Sequence, residues 1–403
     1  MLKHKQVTKC FEQQFGKAKY AIYTSPGRIN LIGEHTDYNG GFVLPAAIDK
    51  CMSLVIAPNG TSTVNAYSID YAAKVSFDID GKQPEEQWAS YIYGVIQEMK
   101  KRGATPGGFD CVFGGDVPLG AGMSSSAALE SVFGYAINNQ FHLGFKREEL
   151  AKIGQMTEHN YIGVRCGSMD QFASLMGKDG KVIRLDCRSL KYKRVPFNPY
   201  GYKVVLIDTM VKHSLASSEY NVRRAQCEAG VAEIAKDHPE VELLRDVTPA
   251  MLEAYKDRLD PMVYKRCSFV VKETPRLLAA CKDLENNDMV AFGAKMYETH
   301  DGLSQDYGVS CEELYFIVGI ALSVKVVVGA RMMGGGFGGC VIAIVRSGAY
   351  KEYVGKVKAA YQEKYGVDPR VIDVVISDGA KRWSVAKVKY SGSHLPMRRE
   401  QAS

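Results

Sequence analysis

Between residues 118 and 128 the chain reads Pro-Leu-Gly-Ala-Gly-Met-Ser-Ser-Ser-Ala-Ala, and this stretch limits the possible folds more than any other. It follows an apolar run, Phe109-Asp110-Cys111-Val112-Phe113, that predicts a strand. It precedes Leu129, Val132, Phe133, Ala136 and Ile137, which fall at helical spacing. The serine run ahead of that pattern is an N-cap signal. Gly120 and Gly122 leave backbone N–H groups uncovered, and a helix start adds unpaired donors and partial positive charge. Such a turn can cradle phosphate, and the serine hydroxyls can add hydrogen bonds or a magnesium ligand. The spacing is not that of a P-loop, because Gly-Lys-Ser/Thr occurs nowhere, nor of a dinucleotide fingerprint, whose third glycine is a serine here. On this stretch alone, a phosphate site and a plain strand-to-helix turn are equally good readings.

The 403 residues allow two or three domains. With 46% hydrophobic and 24% charged residues, the core needs no disulfide or metal staple. The net charge of +6 is spread along the chain, so no nucleic-acid partner is implied. No amphipathic anchor and no apolar run of about 20 residues implies a membrane. The 10 cysteines include no Cys-x-x-Cys pair and lie mostly in apolar runs, which reads as buried thiols in a reducing compartment. Met1-Leu2-Lys3-His4-Lys5-Gln6 lacks a secretory pattern. The working expectation is a cytoplasmic monomer acting on small molecules.

Along the chain, residues 3–16 predict an amphipathic helix, Ala21 to Thr24 a strand, and Ser25-Pro26-Gly27 a turn. The next fourteen residues, Arg28 to Gly41, gather an arginine, two acids, a histidine and several glycines ahead of the apolar run Phe42 to Ile48. Strands are expected at Met52–Ala57, Ser62–Ser68, Lys74–Asp78, Val182–Leu185, Lys203–Asp208, Cys340–Val345 and Val371–Ile376. Helices are expected at Trp88–Met99, Arg147–Tyr161 and Leu215–Lys236. Pro196 to Gly201 is a turn-rich candidate boundary, and Met332 to Gly339 is a third glycine-bearing stretch.

Gly27-Arg28-Ile29-Asn30-Leu31-Ile32-Gly33-Glu34-His35-Thr36-Asp37-Tyr38-Asn39-Gly40-Gly41 resembles the galactokinase signature, and the three glycine stretches in this order resemble the GHMP kinase superfamily. Cys166-Gly167-Ser168-Met169-Asp170-Gln171 and the segment around Tyr220 sit where that family has them. The resemblance implies an α+β fold of two domains. Residues 1–195 would be a ribosomal-S5-domain-2-like unit and 196–386 a ferredoxin-like unit, with 387–403 a tail. ATP and a sugar would meet in the cleft between the units, and the reaction would phosphorylate the anomeric hydroxyl of α-D-galactose, the entry step of galactose metabolism.

The resemblance also implies roles. Asp170 would take the hydroxyl proton and Arg28 would stabilise the transferring phosphoryl group. Glu34, His35, Thr36, Asp37, Gly167 and Tyr220 would contact the sugar. Gly120, Ala121, Gly122, Met123, Ser124, Ser125 and Ser126 would hold the nucleotide phosphates, with Ser68 and Trp88 near the adenine. Ser126 and Glu158 would be ligands for Mg2+. Without the resemblance, Asp170 reads as a helix-start aspartate, Glu158 as a solvated helix carboxylate, His35 as a core histidine and Trp88 as core. Two other functions fit the pattern less well: an N-acetylgalactosamine kinase, which departs from His-Thr-Asp-Tyr-Asn-Gly-Gly, and a non-catalytic sugar and ATP sensor, which lacks part of the Ser124–Ala128 segment.

Overall fold

The computed structural model describes residues 4–16, 19–118, 120–211 and 216–383. Leu119 of the glycine turn, Leu215 at the start of the expected long helix, and the tail 387–403 lie outside the described residues.

The first half runs α1 (His4–Phe15), β1 (Ala21–Asn30), β2 (Phe42–Val43), β3 (Pro45–Pro58), β4 (Thr63–Ser68), β5 (Ala73–Asp78), α2 (Gln87–Lys100), β6 (Phe109–Gly115), α3 (Ser125–Gln140), α4 (Arg147–Thr157), α5 (Met169–Met176), β7 (Lys181–Asp186) and β8 (Tyr192–Pro196). The second runs β9 (Tyr202–Asp208), α6 (Ala216–Ile234), α7 (Pro249–Ala254), α8 (Pro261–Glu285), α9 (Met289–Asp301), α10 (Glu312–Leu322), β10 (Val327–Met332), β11 (Cys340–Arg346), α11 (Tyr350–Tyr365), β12 (Arg370–Asp373) and β13 (Lys381–Trp383).

A mixed six-stranded sheet has the order β13-β1-β3-β6-β4-β5, with β4 and β6 parallel. Strand alternation buries both faces of its central strands β3 and β6, while the edge strand β5 keeps one face exposed. Leu54, Ile56, Cys111 and Phe113 enter the main core, whereas Val55, Ala57 and Val112 meet Val7 and Phe11 of α1. The second sheet is antiparallel in the order β10-β11-β9-β12, which is the ferredoxin-like arrangement. Its strands alternate too: Val205 and Ile207 face the second core, and Val204 and Leu206 face the first. Leu277, Cys281, Phe292 and Met296 of α8 and α9 also enter the first core, so the two halves share one apolar junction. The sheets do not follow the order of the chain, because β13 returns from the second half to pair with β1 through Ile22, Tyr23 and Thr24.

Three local expectations are corrected. Ser25-Pro26-Gly27 is not a turn. β1 continues through it, and the register shifts between Pro26 and Arg28, the kind of irregularity at which a strand tolerates proline. Gly27 serves close approach instead, since a Cβ there would stand 2.7 Å from the Met123 carbonyl oxygen. Ser124 precedes α3 but does not cap it with its side chain. It is held at φ 55°, in the left-handed region, and its hydroxyl turns elsewhere. Finally, β12 ends at Asp373, and Ile376 only bridges to Ile48.

Candidate active site

The register shift in β1 delivers Arg28 to the carboxyl side of the glycine turn. Its backbone N–H donates to the Met123 carbonyl at 3.1 Å, and its Nη1 donates to the Gly122 carbonyl. Its Nε and Nη2 each lie 2.7 Å from an oxygen of Asp170, in the first turn of α5. The Ser124 hydroxyl donates to Oδ2 of the same carboxylate. Two charge-assisted bonds in parallel fix the plane of the carboxylate as well as its position. Asp170 still presents 30% of its side chain to solvent, against 5% for Arg28.

These groups border a cavity of about 340 Å3 lined from both halves of the chain. Arg28, Glu34, His35, Asp37, Ser126, Glu158, Gly167, Asp170 and Tyr220 all line it, together with Gly334, Gly335 and Gly336. Glu34 is buried and held by the Gly334 N–H at 2.7 Å and by the fully buried Arg331 at 3.1 Å. Asp37 is pushed up to about 7, first by burial and then by the neighbouring Asp170 charge. Gly167 stands so close to Asp37 that a Cβ would fall 2.0 Å from its Oδ2.

The other expected residues are placed differently. Thr36 is fully buried, and its hydroxyl lies 2.9 Å and 2.6 Å from the Gly33 and Phe42 carbonyls, so it braces the signature loop and is absent from the cavity lining. Ala121 and Met123 are core residues; Gly122 and Ser124 are tied to the lining through Arg28 and Asp170, and neither they nor Gly120 line the cavity. α3 starts without a side-chain cap bond, which leaves its first-turn N–H groups to an anion. Ser125, Ser126 and Trp88 line an adjoining hollow of about 140 Å3. Ser68 is buried and absent from that lining, and its hydroxyl accepts weakly from the Tyr71 N–H at 3.4 Å.

Glu158 begins a single widened turn, Glu158–Ile162, at the end of α4, and it accepts a hydrogen bond from Ser126. Burial raises the carboxyls of both Glu158 and the nearby Glu130. Glu130 Oε2 accepts from Gln171 at 2.8 Å, while its buried Oε1 has no partner. Among the described residues no group of three or more His, Cys, Asp or Glu could hold a metal. Ser126 and Glu158 nevertheless fit magnesium, which takes hard oxygens, needs few from the protein and keeps several waters. The orphaned Glu130 oxygen shows that this wall has acceptor capacity in excess of its donors.

Sequence reasoning missed Tyr91, Arg331 and Tyr71. Tyr91 lines both cavities, and its signal was legible, three residues after Trp88 on one face of α2. Tyr71 lies nearly parallel to Trp88, at 12° and 6.4 Å between ring centroids, and no local pattern announced it. Arg331 carried no signal either, being a lone arginine in an apolar run.

The mixed sheet, the ferredoxin-like sheet and the glycine turn facing a cavity between them define the class of GHMP kinases. Residues 90–178 match the GHMP kinases N terminal domain, residues 280–367 the GHMP kinases C terminal domain, and residues 9–58 the galactokinase galactose-binding signature. The chain is 40% identical over 378 residues to a galactokinase of Clostridium acetobutylicum, covering 92% of this chain and 97% of that one. It is 39% identical over 358 residues to a galactokinase of Thermosipho africanus, covering 89% and 98%. The crystal structure of Lactococcus lactis galactokinase complexed with galactose superposes with a TM-score of 0.89 at 34% identity, covering 93% of this chain and 98% of that one. A mevalonate kinase of Methanococcus jannaschii, at 17% identity and a TM-score of 0.62, shares the fold. The chain belongs to the galactokinase family.

Proposed function

We propose that the protein transfers the γ-phosphoryl group of ATP to the anomeric hydroxyl of α-D-galactose, giving galactose 1-phosphate and ADP. The observation that carries this reading is the two-point ion pair between Arg28 and Asp170, set on one cavity wall with Glu34, Asp37 and Ser126. Phosphoryl transfer runs through a loose transition state, so the protein supplies position and charge more than covalent chemistry. The Arg28 fork and the Ser124 hydroxyl hold Asp170 in one orientation, leaving the remaining lone pair on Oδ1 to accept the sugar hydroxyl and its proton. Arg28, beside the phosphate turn, stabilises charge on the transferring group. Glu34 and Asp37 accept from the other sugar hydroxyls, and a site built on such bonds penalises sugars that lack one.

The uncapped start of α3 and residues 120–126 hold the phosphates, and the hollow between Tyr71 and Trp88 takes the adenine. Ser126 and Glu158 hold Mg2+, which when bound neutralises phosphate charge. Residues 1–195 and 196–386 are the two functional units. All 10 cysteines are free, which suits a reducing cytoplasm. Among the described residues no helix is long and apolar enough to cross a membrane. We take the working unit to be a monomer.

The test is ADP release with galactose, glucose and N-acetylgalactosamine, each with and without magnesium. Magnesium-dependent turnover of galactose above the other two is expected. Equal or faster turnover of N-acetylgalactosamine would reassign the substrate, and sugar and ATP binding without turnover would make the protein a sensor.

A further inference from the structure

His35 lines the sugar side of the cavity, yet both of its ring nitrogens are engaged inside the protein. Nε2 lies 3.1 Å from the Gly335 carbonyl oxygen, and Nδ1 lies 2.8 Å from the Tyr38 hydroxyl. The direction of these bonds follows from elementary rules. A carbonyl only accepts, so Nε2 carries a proton. The ring is 4% exposed and both of its partners are uncharged, so it is neutral and Nδ1 must accept from Tyr38. Tyr38 has a single O–H. The Tyr307 hydroxyl, 2.7 Å away, therefore donates to Tyr38. By the same count the Cys227 thiol, 3.2 Å from the Tyr307 oxygen, donates to Tyr307.

We infer that Cys227, Tyr307 and Tyr38 form a one-way hydrogen-bond relay that locks His35 as its Nε2–H tautomer against the Gly335 carbonyl, making the three of them positioning residues for the sugar wall.

The relay crosses the molecule. His35 and Tyr38 come from the signature loop, Cys227 from α6, and Tyr307 from the segment after α9. Tyr307 is fully buried and Cys227 is 1% exposed, so water does not compete for these bonds. Arg223 pins the Tyr307 segment by donating to the carbonyls of Tyr307 at 3.0 Å and Gly308 at 2.9 Å.

What the relay holds is the glycine wall itself. That turn between β10 and β11 is fastened at three points: the Gly334 N–H donates to Glu34, the Gly335 carbonyl accepts from His35, and the Phe337 N–H donates to the Val309 carbonyl at 2.7 Å. Glu34 is thus oriented by the turn whose next carbonyl the relay anchors. His35 contributes to the sugar site as a brace, because neither ring nitrogen has a free lone pair or proton to offer a hydroxyl. The inference deepens the galactose reading and rests on it for its effect on affinity.

The test has two independent parts. In 15N-labelled, ligand-free protein, His35 should show a protonated Nε2 and an unprotonated Nδ1. A protonated Nδ1 overturns the relay whatever the substrate is. Galactose and ATP affinities are then measured by calorimetry. Tyr38→Phe should weaken galactose binding by about fivefold, the equivalent of one ordinary hydrogen bond, with ATP affinity within about twofold. Tyr307→Phe and Cys227→Ala should act in the same direction more weakly, and Cys227→Ser, which restores a donor, should return the wild-type value. Unchanged galactose affinity in folded Tyr38→Phe and Tyr307→Phe proteins overturns the positioning role. If the wild type bound no galactose, the proposed substrate would fall, and the ring-nitrogen spectrum would still decide the relay.

Discussion

Arg28 and Asp170, 142 positions apart in the chain, meet through two parallel 2.7 Å contacts, with the Ser124 hydroxyl closing on the same carboxylate. The strand irregularity at Pro26 and the start of α5 are both needed to bring them together. Asp170→Asn should cut turnover by about 10²–10⁴ while ATP binding stays nearly intact. Arg28→Lys keeps the charge but loses the fork, and should lower kcat by about 10². ADP release and calorimetric ATP titration check both. Lost ATP binding with unchanged turnover per folded molecule would sink the assignment.

Tyr71 and Trp88 form an aromatic slot open to the α3 start. Tyr71→Ala should raise KM for ATP about fivefold to tenfold, in keeping with one lost aromatic contact, and leave the KM for sugar unchanged. A change confined to the sugar KM would show that the slot is not the base site.

Gly167→Ala places a methyl group 2.0 Å from Asp37 Oδ2. Asp37 must move, and overpacking of this kind costs about 1–3 kcal/mol. Galactose affinity should fall about tenfold to a hundredfold with ATP affinity preserved, read by titrating each ligand separately. An unaltered galactose affinity would remove Asp37 from the sugar contacts.

His300 supplies a pH dependence outside the reacting groups. Burial, then the Arg331 charge, hold its pKa down at about 4 from the ordinary 6.5, and Nδ1 accepts from the Met332 N–H at 3.3 Å. The unfolded chain therefore takes the proton first. The full contribution is present above the unfolded value and is lost as pH falls from 6.5 towards 4. Between pH 6.5 and pH 5 the loss is up to about 2 kcal/mol. Urea unfolding at pH 7 and pH 5 should show a shallower acid loss in His300→Gln than in wild type. Equal losses would mean that His300 is protonated in the folded protein.

The parts of the fold legible in the sequence were those set by local periodicity, among them α2, α3, β9 and β11. The glycine turn between β6 and α3 was legible as a strand-to-helix turn because glycine and a helix start act within a few residues. Ser25-Pro26-Gly27 misled because turn chemistry is a local preference, overridden here by pairing with β3 and by the approach of Met123. The serine run misled in the opposite sense. Ser124 has the side chain of a cap, but the Asp170 carboxylate outbids the local backbone for its hydroxyl. Arg331, Tyr71 and Tyr307 were invisible because each acts through a partner remote in sequence or on a separate element, and composition carries no trace of such a meeting.

The pairing of β13 with β1 has a consequence for synthesis. While the protein emerges from the ribosome, β1 can join β3 early, but its opposite edge stays bare until residues 381–383 have been made. An uncovered edge of this sort invites pairing with a neighbouring chain. The nascent polypeptide therefore carries a sticky flank from the synthesis of β1 until residues 381–383 follow, and the strand that shields it is the last among the described residues.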